Sequence, residues 1–384
     1  MADSMTARDI FLVGFDVDSL GGSQRVLHTL AQGMGDRGHR VRLVGLRKSP
    51  EPFPYNAAPS YKHSTLYSLP ARPAWRPRTL TERLNSSQRR AAKEARVDRQ
   101  QARSSFARML GEAEKGFVIF GSPWAVDWGV GMDWGRFKRV GQYHESFEQA
   151  RTSANLRLIK KHYPALDKTL VLSDGDAREF RNQRIPNVSV MPNPLPFYPD
   201  EPASLDTLRI GAVGRFEQVK RIDRLLEAFA KAAPGRPGWE LHLFGDGPLE
   251  NMLRDTAARL GVARQVVFRG TATSMQSVYA ELSAVVISSE REGRPMALAE
   301  AAACGVPCVS FDLSGGVREL VKDGVTGTLV PSGDIQGLAA AMGALMDDEK
   351  MRRAYGAAAR DHVADLALPR VLDRWETLFA QVER

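Results

Sequence analysis

The chemistry-bearing residues of this chain gather around two stretches. In Ser289–Phe311, SEREGRPMALAEAAACGVPCVSF, Glu292 falls on a charged loop and Glu300 eight residues on, inside an Ala-rich helix. Two such carboxylates could hold hydroxyl groups, or could simply stabilise the macrodipole at a helix start. Pro295 suits the first helical turn and Gly305 the exit. A helix that opens from a Gly-containing loop at a strand end is also a favourable place for an anion. The second stretch is Gly214-Arg215-Phe216 with Lys220. A guanidinium fork and an ammonium point charge, five residues apart at a Gly turn, suit a diphosphate. A solvated basic face is the alternative there, since Arg221 and Arg224 follow. His144, after an apolar run, is a candidate donor to a reacting oxygen or a structural histidine. Asp16 and Asp18 form a D-x-D that could hold a divalent ion between phosphates. It stands before a Gly-Gly turn in the half opposite Arg215 and Lys220, so no metal is expected.

These residues need strand ends and helix starts to hold them. Ile10–Phe15 is an apolar run followed by Gly21-Gly22, then by Val26, Leu27, Leu30 and Met34 at helical spacing, then by the run Val41–Leu46. This is a βαβ opening, although no G-x-G-x-x-G accompanies it. Ser49 to Arg78 reads as Pro-rich and irregular, and Thr79 to Ala113 as one basic helical arm with a weak apolar stripe (Leu80, Leu84, Ala91, Ala95). Further strands are expected at Phe117–Phe120, Arg139–Tyr143 and Thr169–Leu172. Pro192 to Leu205 contains five prolines and reads as a linker. The second half repeats the strand–Gly turn–helix opening from Leu208. It closes with two helices between Ile335 and Leu366 and a last one over Val371–Val382. Strand–helix alternation implies parallel sheets, and the cleft between their carboxyl ends is where ligands of open α/β folds bind.

The 384 residues favour two domains. Apolar residues make up 43% and charged residues 26%, as in a globular protein. No apolar run is long enough to span a bilayer, and the N-terminus reads as a strand rather than a signal peptide. Cys304 and Cys308 have no zinc spacing and read as buried small side chains suited to a reducing compartment. Between Ala71 and Leu110, eleven basic residues face three acids, a surplus equal to the whole chain's +8. That segment invites an anionic partner, either lipid headgroups or a phosphate-bearing acceptor; a solvated helical hairpin is the plainer alternative. Trp75, Trp124, Trp128 and Trp134 could stack on a sugar, with core packing expected for most.

Taken together, the motifs resemble the retaining glycosyltransferases of family 4, of the two-domain GT-B fold. The similarity covers nearly the whole chain. It lies in Gly21-Gly22-Ser-Gln-Arg25-Val26, Arg37-Gly38-His39, Gly214-Arg215 through Lys220, Gly245-Asp-Gly247-Pro248, and Glu292-Gly293-Arg294-Pro295 through Glu300. The departure is Arg294, where the family usually carries an aromatic residue or leucine. The resemblance implies two Rossmann-like domains facing a cleft: residues 1–195 for the acceptor, with the basic arm at 79–113, a linker at 196–207, and residues 208–366 for a nucleotide-sugar donor. A C-terminal helix, 367–384, would return to the first domain. It also implies roles. Arg215 and Lys220, with Gly214 at their turn, would neutralise a leaving diphosphate. Glu300 would take the ribose hydroxyls, Glu292 would lie at the sugar or reacting centre, and His144 would bond the transferred sugar. Gly293, Arg294, Pro295 and Met296 would contact sugar or phosphate, and Gly21 and Gly22 would let their loop approach the donor.

The expectation is therefore metal-independent, retaining transfer of a hexose or N-acetylhexosamine from a UDP-sugar to a hydroxyl of a cell-envelope glycan, a teichoic-acid-like polymer or a lipid-linked acceptor. The enzyme would be cytoplasmic, with peripheral contact at the inner face of the membrane through residues 79–113 as an alternative. A nucleotide-sugar 2-epimerase on the same fold is the rival enzyme. A nucleic-acid-binding protein is the rival from another class, disfavoured because the charge is confined to one arm without a nucleic-acid motif.

Overall fold

The computed structural model of the chain describes residues 7–67 and 86–384. Its first half is a seven-stranded parallel sheet of β1 (Asp9–Gly14), β2 (Arg40–Arg47), β3 (Lys62–Tyr67), β4 (Gly116–Phe120), β5 (Phe137–Gln142), β6 (Lys168–Val171) and β7 (Val188–Val190), in the order β3-β2-β1-β4-β5-β6-β7. The second half is a six-stranded parallel sheet of β8 (Arg209–Val213), β9 (Glu240–Phe244), β10 (Val266–Gly270), β11 (Ala284–Ile287), β12 (Cys308–Phe311) and β13 (Gly327–Val330), in the order β10-β9-β8-β11-β12-β13. In each sheet the order reverses beside the half's first strand, between β1 and β4 and between β8 and β11. Loops diverge there and leave a crevice at the strands' carboxyl ends.

Central strands are apolar on both faces because helices cover both. Ile10, Leu12 and Val13 are fully buried, as are Leu241 and Leu243. α1 (Gly22–Asp36) follows β1 and buries Val26, Leu27, Leu30 and Met34. The last helix of the chain, Leu368–Glu383, returns to the first sheet, as expected. It buries Val371, Trp375 and Phe379 in one cluster with Ile10, Leu30 and Phe117, and Phe117 and Phe379 stand 4.4 Å apart at their centroids. Polar clasps hold it: Arg8 to Glu383 at 2.9 Å and His39 to Glu376 at 2.6 Å. The proline-rich stretch before β8 is packed against the second half. Leu195 and Leu205 are buried there, and the Ala203 amide donates to the Cys304 carbonyl at 2.7 Å.

Two sequence expectations need correction. The stretch taken as irregular contains β3, an edge strand with only half-buried and exposed side chains, so it carries no clear apolar alternation. The basic arm is one helix, α2 (Ser86–Gly111), and the part expected over residues 79–85 lies outside the described residues. Its buried stripe is Ala102, Phe106 and Leu110. Of the expected stripe, Leu80 and Leu84 lie outside the described residues and Ala91 and Ala95 are only half-buried. Trp128 and Trp134 pack in the first core. Trp124, on α3 (Pro123–Gly129), is 47% exposed, and Trp75 lies outside the described residues.

Candidate active site

The twelve residues given a role by the family resemblance all line one cleft of about 650 Å³ between the halves: Gly21, Gly22, His144, Gly214, Arg215, Lys220, Glu292, Gly293, Arg294, Pro295, Met296 and Glu300. The first half contributes the loop after β1 and the loop after β5. The second contributes the loops after β8 and β11.

The charged centre is built by two loops that bond each other. Lys220 ends a 3-10 turn after β8, and its Nζ lies 2.7 Å from Glu292 Oε1. Ser289 Oγ donates to the same carboxylate oxygen at 2.6 Å. Backbone bonds fix that meeting: the Glu290 amide donates to the Val219 carbonyl at 2.8 Å, and Ser288 Oγ to the Lys220 carbonyl at 3.1 Å. Arg215 is more open, 61% exposed along its side chain and 3.3 Å from Glu217. The loop after β9 supports this turn. Gly245 has φ +139°, and a Cβ there would come within 2.1 Å of the Gly214 carbonyl, so the G-x-G-P turn requires glycine.

Glu300 is carried by α4 (Met296–Ala303), in its second turn, and is 5% exposed. Tyr279 donates its hydroxyl to Oε2 at 3.1 Å. Burial pushes the carboxyl up to about 7, opposed by the charge of Arg25 and by that hydrogen bond. Pro295 is the N-cap of α4 rather than its first residue, and gives no side-chain cap; Gly21, at the N-cap of α1, gives none either. Both helices open into the cleft with amide N–H groups free of side-chain acceptors, while Ser122, Ser146, Ser173 and Ser314 cap the helices that follow them. Beyond its chain neighbours and its own helix backbone, nothing lies within 4 Å of where a Cβ on Gly22 would stand.

His144 follows β5, and its Nδ1 is 2.9 Å from Asn193 Oδ1. With Nδ1 carrying the proton to that oxygen, Nε2 is left as an acceptor; it is buried with no protein partner. Burial pulls the imidazole down to about 4, so it stays neutral at ordinary pH.

Arg294, the departure from the family pattern, braces the two halves: its Nη1 donates to the Leu172 carbonyl beyond β6 at 3.1 Å. Gly293 packs still closer. A Cβ on it would meet the Ser146 amide nitrogen at 2.9 Å and Glu145 Cα at 3.1 Å. Arg25, quoted in the Gly-Gly motif without a role, faces Glu300. Sequence reasoning missed the residues that hold the site rather than line its motifs: Asn193 behind His144, Tyr279 behind Glu300, and Tyr55. The Tyr55 hydroxyl accepts from the Gly21 amide at 2.9 Å and donates to the Ser19 carbonyl at 2.7 Å. Asn193 and Tyr55 sit in proline-rich stretches that offer no periodic signal. Asp16 and Asp18 are structural: Asp16 accepts from the amides of Asp18 and Ser19, and Asp18 pairs with His63 at 2.9 Å. Among the described residues, no three His, Cys, Asp or Glu side chains converge as a metal site.

Two parallel sheets facing one cleft, with a paired cation and carboxylate at the second sheet's switch point, place the chain in the GT-B class of glycosyltransferases. The chain belongs to that family: residues 21–196 match the glycosyl transferase 4-like domain and residues 199–362 the glycosyl transferases group 1 domain. An exopolysaccharide phosphotransferase of Streptomyces coelicolor is 34% identical over 223 residues, 57% of this chain and 24% of that protein. The N-acetyl-alpha-D-glucosaminyl L-malate synthase of Bacillus anthracis is 31% identical over 173 residues, 45% of each chain. The chain thus spans a quarter to less than half of the length of these relatives. A mutant of S. aureus TarM, solved in complex with fondaparinux, alpha-GlcNAc-glycerol and UDP, has a TM-score of 0.78 at 13% identity, covering 97% of this chain and 99% of that one. That likeness concerns the fold.

Proposed function

We propose that this chain transfers a hexose or N-acetylhexosamine, with retention, from a UDP-sugar to a hydroxyl of an anionic cell-envelope glycan or polymer. The carrying observation is that Arg215, Lys220, Glu292, Glu300 and His144, spread over 157 positions of sequence, meet in one cleft. Residues 208–366 would bind the donor, residues 1–195 the acceptor, and residues 196–207 would join them. The solved neighbour's UDP supports the choice of donor.

In this reading the bond between the anomeric carbon and the donor's diphosphate oxygen breaks through an oxocarbenium-like centre. Arg215 and Lys220 stabilise the charge gathering on the diphosphate, with the open N-termini of α1 and α4 beside them, so the protein's own groups suffice without a metal ion. Glu300 accepts the ribose hydroxyls. The neutral His144 accepts a hydrogen bond from a sugar hydroxyl at Nε2. Glu292 is engaged by Lys220 and Ser289, which suits a sugar-binding and charge-tuning role better than that of a nucleophile. The acceptor oxygen therefore attacks on the face the leaving group vacates, and its proton passes to the departing phosphate oxygen.

The test is UDP release from UDP-hexoses and UDP-N-acetylhexosamines, with and without cell-envelope glycan acceptors. Acceptor-dependent release with a glycosylated product supports the proposal. UDP release without acceptor, together with a 2-epimerised sugar, would establish the epimerase instead.

A further inference from the structure

We propose that α2 is a docking track for a polyanionic acceptor chain, delivering it to the cleft at Trp124. This inference rests on the transferase reading but concerns a surface outside the donor site. Helix α2 carries seven basic and two acidic side chains. Arg89, Lys93 and Arg96 recur at i, i+4 and i+7, so they share one face. All three are exposed and have no acidic partner among the described residues. Arg99 and Arg103 extend the stripe toward the body, so that it runs about 21 Å at 1.5 Å per residue.

The inner end of the stripe is fixed to the acceptor side of the cleft. Arg99 Nη2 donates to the Trp128 carbonyl at 3.1 Å, and Arg103 Nη2 to the carbonyls of Trp128 and Val130 at 2.5 and 2.6 Å. These partners are carbonyls at the carboxyl end of α3, so the guanidinium charges are not cancelled. Trp124, at the other end of α3 and about 6 Å along its axis, lines the cleft with Glu145, Gln149 and Asn155. An exposed indole next to polar side chains is a stacking platform for a sugar ring. The track and the cleft are therefore continuous.

A lipid surface fits less well. An interfacial helix needs outward apolar side chains to enter the acyl boundary, but the larger apolar side chains of α2, Phe106 and Leu110, are buried in the first core, and Val97 is the one exposed large apolar residue on its described length. Guanidinium groups repeated along a helix suit phosphate or carboxylate groups repeated along a polymer.

The test uses the full chain with saturating UDP and fluorescent long-chain inorganic polyphosphate as the probe. The triple variant Arg89→Gln/Lys93→Gln/Arg96→Gln changes exposed side chains alone, and its UDP thermal shift checks that fold and donor site are intact. The wild type should bind polyphosphate in a salt-sensitive manner, the triple variant about ten-fold or more weakly, and Lys220→Gln like the wild type. Equal binding by wild type and triple variant would overturn the track, as would loss of binding in Lys220→Gln, which would put the polyanion in the donor cleft. So would binding to phosphatidylglycerol vesicles without binding to polyphosphate. An absent UDP shift in the wild type would instead count against the transferase reading.

Discussion

Lys220 and Glu292 form the pair on which the chemistry turns. At 2.7 Å they hold each other in place, and an arriving diphosphate would draw Lys220 toward a stronger anion. Lys220→Ala should lower turnover at saturating donor by roughly a hundred-fold or more, the scale for a lost charge-stabilising group; near-normal turnover would count against its role. Glu300 makes a separate prediction. Its carboxyl sits near 7 because burial disfavours the charge. Unfolded, it would titrate near 4.5, so between about 4.5 and 7 the folded state holds the extra proton. Its contribution to stability is complete below 4.5 and is lost as pH rises through 7. Ribose hydroxyls donating to the carboxylate reverse the preference and expel the proton. Calorimetry of UDP binding at pH 7 in buffers of different ionisation enthalpy should show net proton release, reduced in Glu300→Gln. Equal release in both proteins would remove Glu300 from the ribose contact. The motif glycines, cations and carboxylates were legible in the sequence, because each announces itself by residue type in a loop after a strand or in the helix that follows it. Asn193, Tyr279 and Tyr55 were not, because each works by reaching a partner 20 or more positions away.

Among the elements, the elbow between β11 and α4 binds the halves together as well as presenting Glu292. Gly293 touches the backbone at Glu145 and Ser146, and Arg294 reaches the Leu172 carbonyl. In Gly293→Ala the new methyl meets backbone atoms that cannot step aside. The expected cost is about 1–3 kcal/mol, seen as a lower unfolding midpoint and weaker UDP binding. An unchanged midpoint and affinity would show that the elbow does not dock there in solution. Alternation of apolar runs and Gly turns revealed most strands and helices in advance, since buried parallel strands are apolar on both faces. β3 escaped because an edge strand with half-covered side chains leaves no such pattern. The inward stripe of α2 escaped because Ala102, Phe106 and Leu110 are scattered among basic residues whose charge dominates the sequence. Arg294 became intelligible only once Leu172, 122 positions away, was seen beside it.

At the scale of the whole molecule, two sheets present their carboxyl ends to one space, and the last helix crosses back to bury Trp375 and Phe379 against the first sheet. This arrangement puts cations and carboxylates from the second half opposite the α1 amides and His144 from the first. A nucleoside diphosphate bound there would touch both halves and stabilise the folded chain by mass action, about 2.7 kcal/mol at a hundred times Kd. The most direct measurement is the thermal unfolding midpoint of the full chain against UDP, UMP and uridine. The midpoint should rise by a few degrees with UDP, by less with UMP and uridine, and the UDP response should shrink in Lys220→Ala and Glu300→Gln. No rise with millimolar UDP or any other nucleoside diphosphate would contradict the assignment of this cleft to a nucleotide-sugar donor.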